Sequence, residues 1–186
     1  MQYNMFQIDT GIMNLVLAFR NEWLTKLMIF FTYLGDWQVI VGLAVAAIII
    51  LARLKKTREI IFLAAALISG ELIKELLKLL IRRQRPDAVF SLISENGYSF
   101  PSGHALMSVV FYGAIAYFIY KLYQKMWQKI VLAAVFAALI FLIGFSRVYL
   151  GVHWVSDVVA GWLVGFLILI FLILIFKRYF TTLNQK

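Results

Sequence analysis

The feature that most constrains this chain is a series of long apolar runs divided by short clusters of Lys and Arg. A helix that crosses a bilayer needs about 20 mostly apolar residues, and inside the bilayer every backbone N–H and C=O must bond internally. Runs at 37–54, 60–81, 105–120, 130–145 and 153–176 fit that demand. A shorter apolar stretch at 23–34 is set off from the next by Gly35-Asp36, which brings the expected count to six spans. Upstream, Ile12, Leu15, Val16 and Phe19 recur at i, i+3, i+4 and i+7. That spacing fits an amphipathic helix lying at the membrane surface, or an extension of the first span. No basic region followed by a clean apolar stretch opens the chain, so a cleavable signal peptide is not expected. The expected class is all-α: one polytopic membrane domain over 1–186 with six transmembrane helices.

Composition excludes several other classes. The chain is 63% hydrophobic and 15% charged, against an apolar share of roughly 45–50% in soluble globules. A soluble enzyme, a disordered tail and a nucleic-acid-binding module all fit poorly. There is no Cys, so disulfides and thiolate metal sites are ruled out. The net charge of +9 is a matter of orientation first. Arg53, Lys55, Lys56 and Arg58 separate spans 2 and 3; Lys121, Lys125 and Lys129 separate spans 4 and 5; Lys177, Arg178 and Lys186 follow span 6. With six spans these segments share one side with the N-terminus, and the positive-inside tendency makes that side the cytoplasm. Trp23 and Trp127 then mark the inner interface, Trp37 and Trp154 the outer one.

Five cations break this pattern. Lys78, Arg82, Arg83, Arg85 and Arg147 fall at or near the opposite face. Snorkelling to lipid headgroups would explain a few of them, but their neighbours point to an anionic ligand. Three polar segments meet at that face: Lys78 to Pro86, then Pro101-Ser102-Gly103-His104, then Ser146-Arg147 through His153 to Asp157. Lys78, Arg85 and Arg147 supply three positive charges, with Arg able to fork onto two phosphate oxygens. Ser102 and Gly103 open a helix, where unpaired N–H groups and the positive dipole end suit an anion. His153 and Asp157 are four apart and would share a helix face, the carboxylate orienting one ring nitrogen while the other attacks. His104 is a second imidazole, placed for general acid work. Such a set makes a phosphoryl-transfer site at the outer face. Glu71, Lys74 and Glu75 read as a polar seam within span 3, and Arg82 and Arg83 as peripheral. Two histidines and one nearby Asp are a poor metal ligand set.

The spacing Lys-x6-Arg-Pro, Pro-Ser-Gly-His and Ser-Arg-x5-His-x3-Asp resembles the three-part signature of the type 2 phosphatidic acid phosphatase superfamily. That superfamily holds lipid phosphate phosphatases, soluble acid phosphatases and vanadium haloperoxidases. Six spans with little else resembles its small bacterial membrane members, phosphatidylglycerophosphatases among them. The resemblance implies that His153 attacks phosphorus to form a phosphohistidine, that Asp157 orients it, and that His104 protonates the leaving oxygen and then activates water. It implies that Lys78, Arg85, Ser102, Gly103 and Arg147 hold the phosphoryl oxygens, with no metal and no cofactor. The expected substrate is a membrane-embedded lipid phosphate. Phosphatidylglycerol phosphate stands first and undecaprenyl diphosphate second, with broad action on phosphatidic acid and diacylglycerol diphosphate a further alternative. A non-hydrolytic lipid-phosphate transporter and a haloperoxidase-type enzyme are the other classes. No nucleic acid and no obligate protein partner is expected.

Overall fold

The computed structural model describes residues 2–183, with side chains described from residue 7 to residue 178. The helices are α1 (Gln2–Ala18), α2 (Glu22–Leu34), α3 (Trp37–Arg53), α4 (Thr57–Ile81), α5 (Gly103–Tyr120), α6 (Met126–Tyr149) and α7 (Val155–Leu183), with one 3-10 turn at Ala88–Phe90. By length and composition α5, α6 and Val155–Arg178 of α7 can each cross a membrane, and α2 with α3 forms a further such unit bent by 51° at Gly35-Asp36. Helix α4 has 25 residues, and Glu71, Lys74, Glu75 and Lys78 break its apolar character. The fold is an all-helical membrane bundle.

The N-terminal segment departs from expectation. Helix α1 does not extend into α2: Phe19 and Arg20 bond back to Val16 and Leu17, and Asn21 opens α2 afresh as an N-cap, its side chain accepting from the Leu24 N–H at 2.9 Å. Helix α1 packs on the end of the bundle where α5 and α7 begin. Met13 is buried there with Ala105, Val148, Trp154 and Val158, and Asp9 accepts from the Ser156 backbone N–H at 2.9 Å. Both ends of α2 also stay near that end. The Asn21 N–H donates to the Tyr149 hydroxyl at 3.2 Å, and Asp36 reaches His104 at 2.7 Å. The 23–34 stretch therefore does not run in from the far end, and Asp9, Met13 and Asn21 lie at the same end as the three motif segments. The physical reason is length: 13 helical residues at 1.5 Å each reach only about 20 Å, and the Gly35-Asp36 break ends them.

Trp154 is a second correction. It is no interfacial anchor, being buried beside Val158 with its indole N–H donated to Gln84 O at 3.2 Å. Trp23, Trp37 and Trp127 are exposed, but Trp23 opens α2 beside Tyr149 at the site end, not at the end of α6 that carries Trp127. Lys186, one of the C-terminal cations, lies outside the described residues.

Helix α5 forms the centre and packs on α4, α6 and α7. It buries Leu106, Val109, Val110, Phe111 and Ala114 on several faces at once. Between apolar helices in lipid, close packing of small residues replaces much of the hydrophobic drive. Gly161 and Gly165 supply it on α7: a Cβ there would lie 2.7 Å from Ser102 O and 2.7 Å from Leu106 O, respectively. This close approach lets the Ser102 N–H bond Asp157 O at 3.0 Å, which ties the start of α5 to the start of α7. Gly161→Leu is expected to cost about 1–3 kcal/mol by overpacking, read as a lowered thermal midpoint of the detergent-purified protein. Gly42→Leu, at a position with nothing within 4 Å, should leave that midpoint nearly unchanged.

Candidate active site

His153 is not on a helix. It sits in the turn before α7, so the face-sharing expected of His153 and Asp157 takes another form. Asp157 folds back over the start of its own helix, Oδ2 accepting from the Trp154 N–H at 2.9 Å. His153 Nδ1 lies 3.6 Å from that oxygen, beyond hydrogen-bond length. Ser99 stands between them, its hydroxyl donating to Asp157 Oδ2 and lying 3.3 Å from His153 Nδ1. The hydroxyl proton is committed to the carboxylate, so Nδ1 must be the donor to Ser99 and Nε2 keeps its lone pair. Burial pushes the His153 imidazole down to about 3, with the Arg147 and Arg85 charges adding to that, against the opposing pull of Asp157. The ring is neutral near pH 7, the form a nucleophile needs.

The cations converge on this ring. Arg85, in the loop after α4, donates through Nη1 to Val152 O at 2.9 Å and lies 3.1 Å from His153 Nε2. Its Nε and Nη2 are held by Gly97 O and Asn96 O, both at 3.0 Å. Arg147, in the last turn of α6, is 1% exposed. Its Nη1 donates to Thr32 Oγ1 of α2 at 2.6 Å and its Nη2 to Glu95 Oε2. Glu95 also lies 3.7 Å from Arg85 Nη2, so one carboxylate bridges the two guanidinium groups. Burial works to raise the Glu95 pKa, but the Arg147 charge and hydrogen bond outweigh it and the net direction is down. Lys78 ends α4 only 20% exposed, 3.9 Å from Glu75.

Ser102 is the N-cap of α5, with its Oγ buried and bonded to no group among the described residues. Gly103 lies against the stem of Lys74: a Cβ there would meet Lys74 Cδ at 3.1 Å. His104 follows, its Nε2 2.7 Å from Asp36 Oδ1. Lys78, Arg85, Gly103, His104 and His153 all line one cavity of about 750 Å³. Its other wall is apolar, from Ile40 and Val41 of α3, Leu67, Ile68 and Leu72 of α4, and Met107 of α5. Glu71 and Lys74 of the α4 seam face it as well. The eight residues singled out from sequence are thus brought together at one end of the bundle, above a groove that leads down between α3, α4 and α5.

Arg83 is not peripheral. Its Nη1 donates to Asp157 Oδ1 at 2.7 Å and to Ser156 Oγ at 2.6 Å, and its Nη2 to Asp9 Oδ2 at 2.6 Å. It ties helix α1 to the carboxylate behind the His153 ring, whereas Arg82 is exposed and, among the described residues, its side chain bonds its own helix at Leu79 O. Sequence reasoning also misses Ser99, Asp36, Thr32 and Asp9, and reads Glu95 as a polar handle of its loop and not as the partner of Arg147 and Arg85. Ser99 and Glu95 lie within the loop between the first two motif segments, which was a signal of position only. Asp36, Thr32 and Asp9 are far away in the chain and carried none.

Residues 59–180 match the PAP2 superfamily. Phosphatidylglycerophosphatase B of Bacillus subtilis is 34% identical over 182 residues, 96% of this chain and 87% of that protein. An undecaprenyl-diphosphatase of Sulfolobus acidocaldarius is 33% identical over 151 residues, 76% of this chain and 66% of that one. Among solved structures, the transmembrane PAP2-type phosphatidylglycerolphosphate phosphatase from Bacillus subtilis superposes with a TM-score of 0.85 at 30% identity, covering 92% of this chain and 86% of that one. Aquifex aeolicus LpxE gives a TM-score of 0.72 at 25% identity, covering 88% and 93%. A helical membrane bundle with a cation-rich end is the class that fold and site define, and within it this chain belongs to the PAP2 superfamily.

Arg83→Met removes the partner of two buried carboxylates. Loss of one member of such a buried pair costs about 3–5 kcal/mol. The expected result is a thermal midpoint well below that of Arg82→Met, measured on both proteins in the same detergent.

Proposed function

We propose that the chain hydrolyses the terminal phosphate of a membrane-embedded lipid phosphate, with phosphatidylglycerol phosphate as the substrate and phosphatidylglycerol and phosphate as products. The observation that carries this reading is the cavity, whose cation-rich end holds both imidazoles while one wall, from α3, α4 and α5, is apolar beside the polar α4 seam. A phosphoryl group fits the first part and acyl chains the second. The likeness to a phosphatidylglycerophosphatase over nearly the whole chain supports the choice of headgroup.

The chemistry follows from the ring positions. His153 Nε2 attacks phosphorus, forming the P–N bond as the bond to the lipid oxygen breaks. His104 gives that oxygen its proton, then takes one from the water that cleaves the phosphohistidine. Asp157 orients His153 through Ser99. Lys78, Arg85, Arg147 and the start of α5 at Ser102 and Gly103 hold the phosphoryl oxygens. Ser102 Oγ and Arg147 Nε are buried and bond to no group among the described residues. An orphaned buried donor is costly, and phosphoryl oxygens would satisfy both. The carboxylate of Glu95, between Arg85 and Arg147, has to share those forks with the substrate or yield them. The mechanism uses no metal.

The site faces outward in this reading. The Lys and Arg clusters at 53–58, 121–129 and 177–178 sit at the far end, which the positive-inside tendency assigns to the cytoplasm. Among the described residues the bent α2–α3 unit, α4, α5, α6 and α7 then make five crossings, with α1 at the outer end and the last described turn of α7 at the inner one. All of 1–186 is one domain, since α1 to α3 complete the site around the later helices.

Purified protein is expected to release inorganic phosphate from phosphatidylglycerol phosphate in detergent containing EDTA, with vanadate inhibiting. His153→Ala should abolish this release. A far higher kcat/KM on undecaprenyl diphosphate would exchange the substrate for the runner-up, and lipid movement without phosphate release would make the chain a transporter. In a chain without Cys, Ser94→Cys should label from outside intact cells and Lys125→Cys should not; the reverse pattern would invert the topology.

A further inference from the structure

The break between α2 and α3 lies against the second imidazole from two directions. Asp36 Oδ1 bonds His104 Nε2 at 2.7 Å. Beside it, a Cβ on Gly35 would sit 2.8 Å from His104 Cδ2 and 2.6 Å from Ile143 Cγ2, so only a bare backbone leaves room for the ring. The segment is itself anchored to the helix that carries His104, because the Tyr112 hydroxyl donates to Leu34 O at 2.7 Å. One turn earlier on α2, Thr32 accepts from Arg147 Nη1 at 2.6 Å. The 51° bend at Gly35-Asp36 is thus pinned on both sides to residues of the site.

The contact also settles which ring atom is available. His104 Nδ1 bonds to no group among the described residues, while Nε2 is taken by the carboxylate. A carboxylate accepting from one ring nitrogen fixes the tautomer and leaves the other nitrogen to exchange a proton with a reacting group. Around His104 the charged groups of the cavity are Lys74, Lys78, Arg85, Glu71 and Glu95, with Arg147 paired to Glu95, and Asp36 is the carboxylate that bonds the ring.

We propose that Asp36 is a positioning residue for the proton transfer at His104: through Nε2 it holds the ring so that Nδ1 faces the leaving oxygen, and it supports the protonated imidazole until that proton is given up. The proposal rests on the phosphatase reading above. In the first step the proton goes from His104 Nδ1 to the lipid oxygen as the P–O bond breaks, and Asp36 keeps its hydrogen bond to Nε2. In the second, Nδ1 takes a proton from the attacking water as the P–N bond breaks.

A leaving group that departs without a proton separates this role from a structural one. The probes are a dialkylglycerol phosphate, whose alkoxide needs the proton, and an alkyl-substituted nitrophenyl phosphate, whose phenolate does not. The readout is kcat/KM, which reports steps up to the loss of the leaving group. Asp36→Asn should lower it by about 10²-fold on the alkyl substrate, within the usual range of general acid catalysis, and by under about threefold on the nitrophenyl one. Gly35→Ala, which displaces the ring from the other side, should give the same selectivity, so the test survives if one variant does not fold. In a His104→Ala background, Asp36→Asn should add almost nothing. Equal losses on both substrates, no loss on either, or a full multiplied loss in the double variant would overturn the proposal. A wild-type protein that releases phosphate from neither probe overturns the phosphatase reading, and this proposal with it.

Discussion

Arg147 is buried at the top of a bundle built for lipid, and much of the site follows from what that burial requires. An unpaired guanidinium in a low-dielectric interior costs several kcal/mol. Thr32 and Glu95 share the task, one from α2 and one from the loop between α4 and α5. Glu95 is in turn drawn towards Arg85, and Arg85 is fixed by backbone carbonyls at Gly97, Asn96 and Val152. Satisfying one buried charge therefore orders a long loop and sets the guanidinium that touches His153.

A second chain of contacts does the same on the opposite side of the imidazole. Asp9 holds Arg83, Arg83 holds Asp157, and Asp157 acts on His153 through Ser99. Helix α1, whose Leu15 and Phe19 are exposed, is thereby connected to the proposed nucleophile by three charged groups and a hydroxyl. Arg83 also lies 5.7 Å over the Trp154 ring, next to His153 in sequence. The seating of α1 and the alignment of the imidazole belong to one network.

The polar face of α4 shows how the two halves of the cavity are joined. Glu71, Lys74, Glu75 and Lys78 recur at helical spacing, and neighbouring members are paired at 2.6 Å, 3.1 Å and 3.9 Å. Charged groups at membrane depth are found facing the bundle interior or a watered cavity. Here the stripe rises from the apolar groove towards Lys78 and Arg85, with Lys74 packed against Gly103 at the start of α5. The polar seam and the apolar residues Ile68 and Leu72 thus line the same cavity.

The sequence by itself determined the helices and which candidate side chains would meet. Apolar runs are long because a bilayer leaves no other partner for the backbone, so the bounds of α3 to α6 were legible within a few residues. The clustering of His104, His153, Asp157 and three cations was legible because those residues sit at the ends of runs, and alternating passes bring such ends together. What only the tertiary structure decided was the second layer around them. Ser99 takes the place between His153 and Asp157 because α7 begins two residues later than the pattern implied. Asp36 reaches His104 across 68 positions of chain, and Asp9 reaches Arg83 across 74. The course of α2 was decided there too: apolarity says that 23–34 is buried in something, and only the Tyr149 and His104 contacts say that both its ends lie at the site. Hydropathy records a preference for an environment, whereas direction and pairing depend on which distant groups must satisfy one another once they are buried.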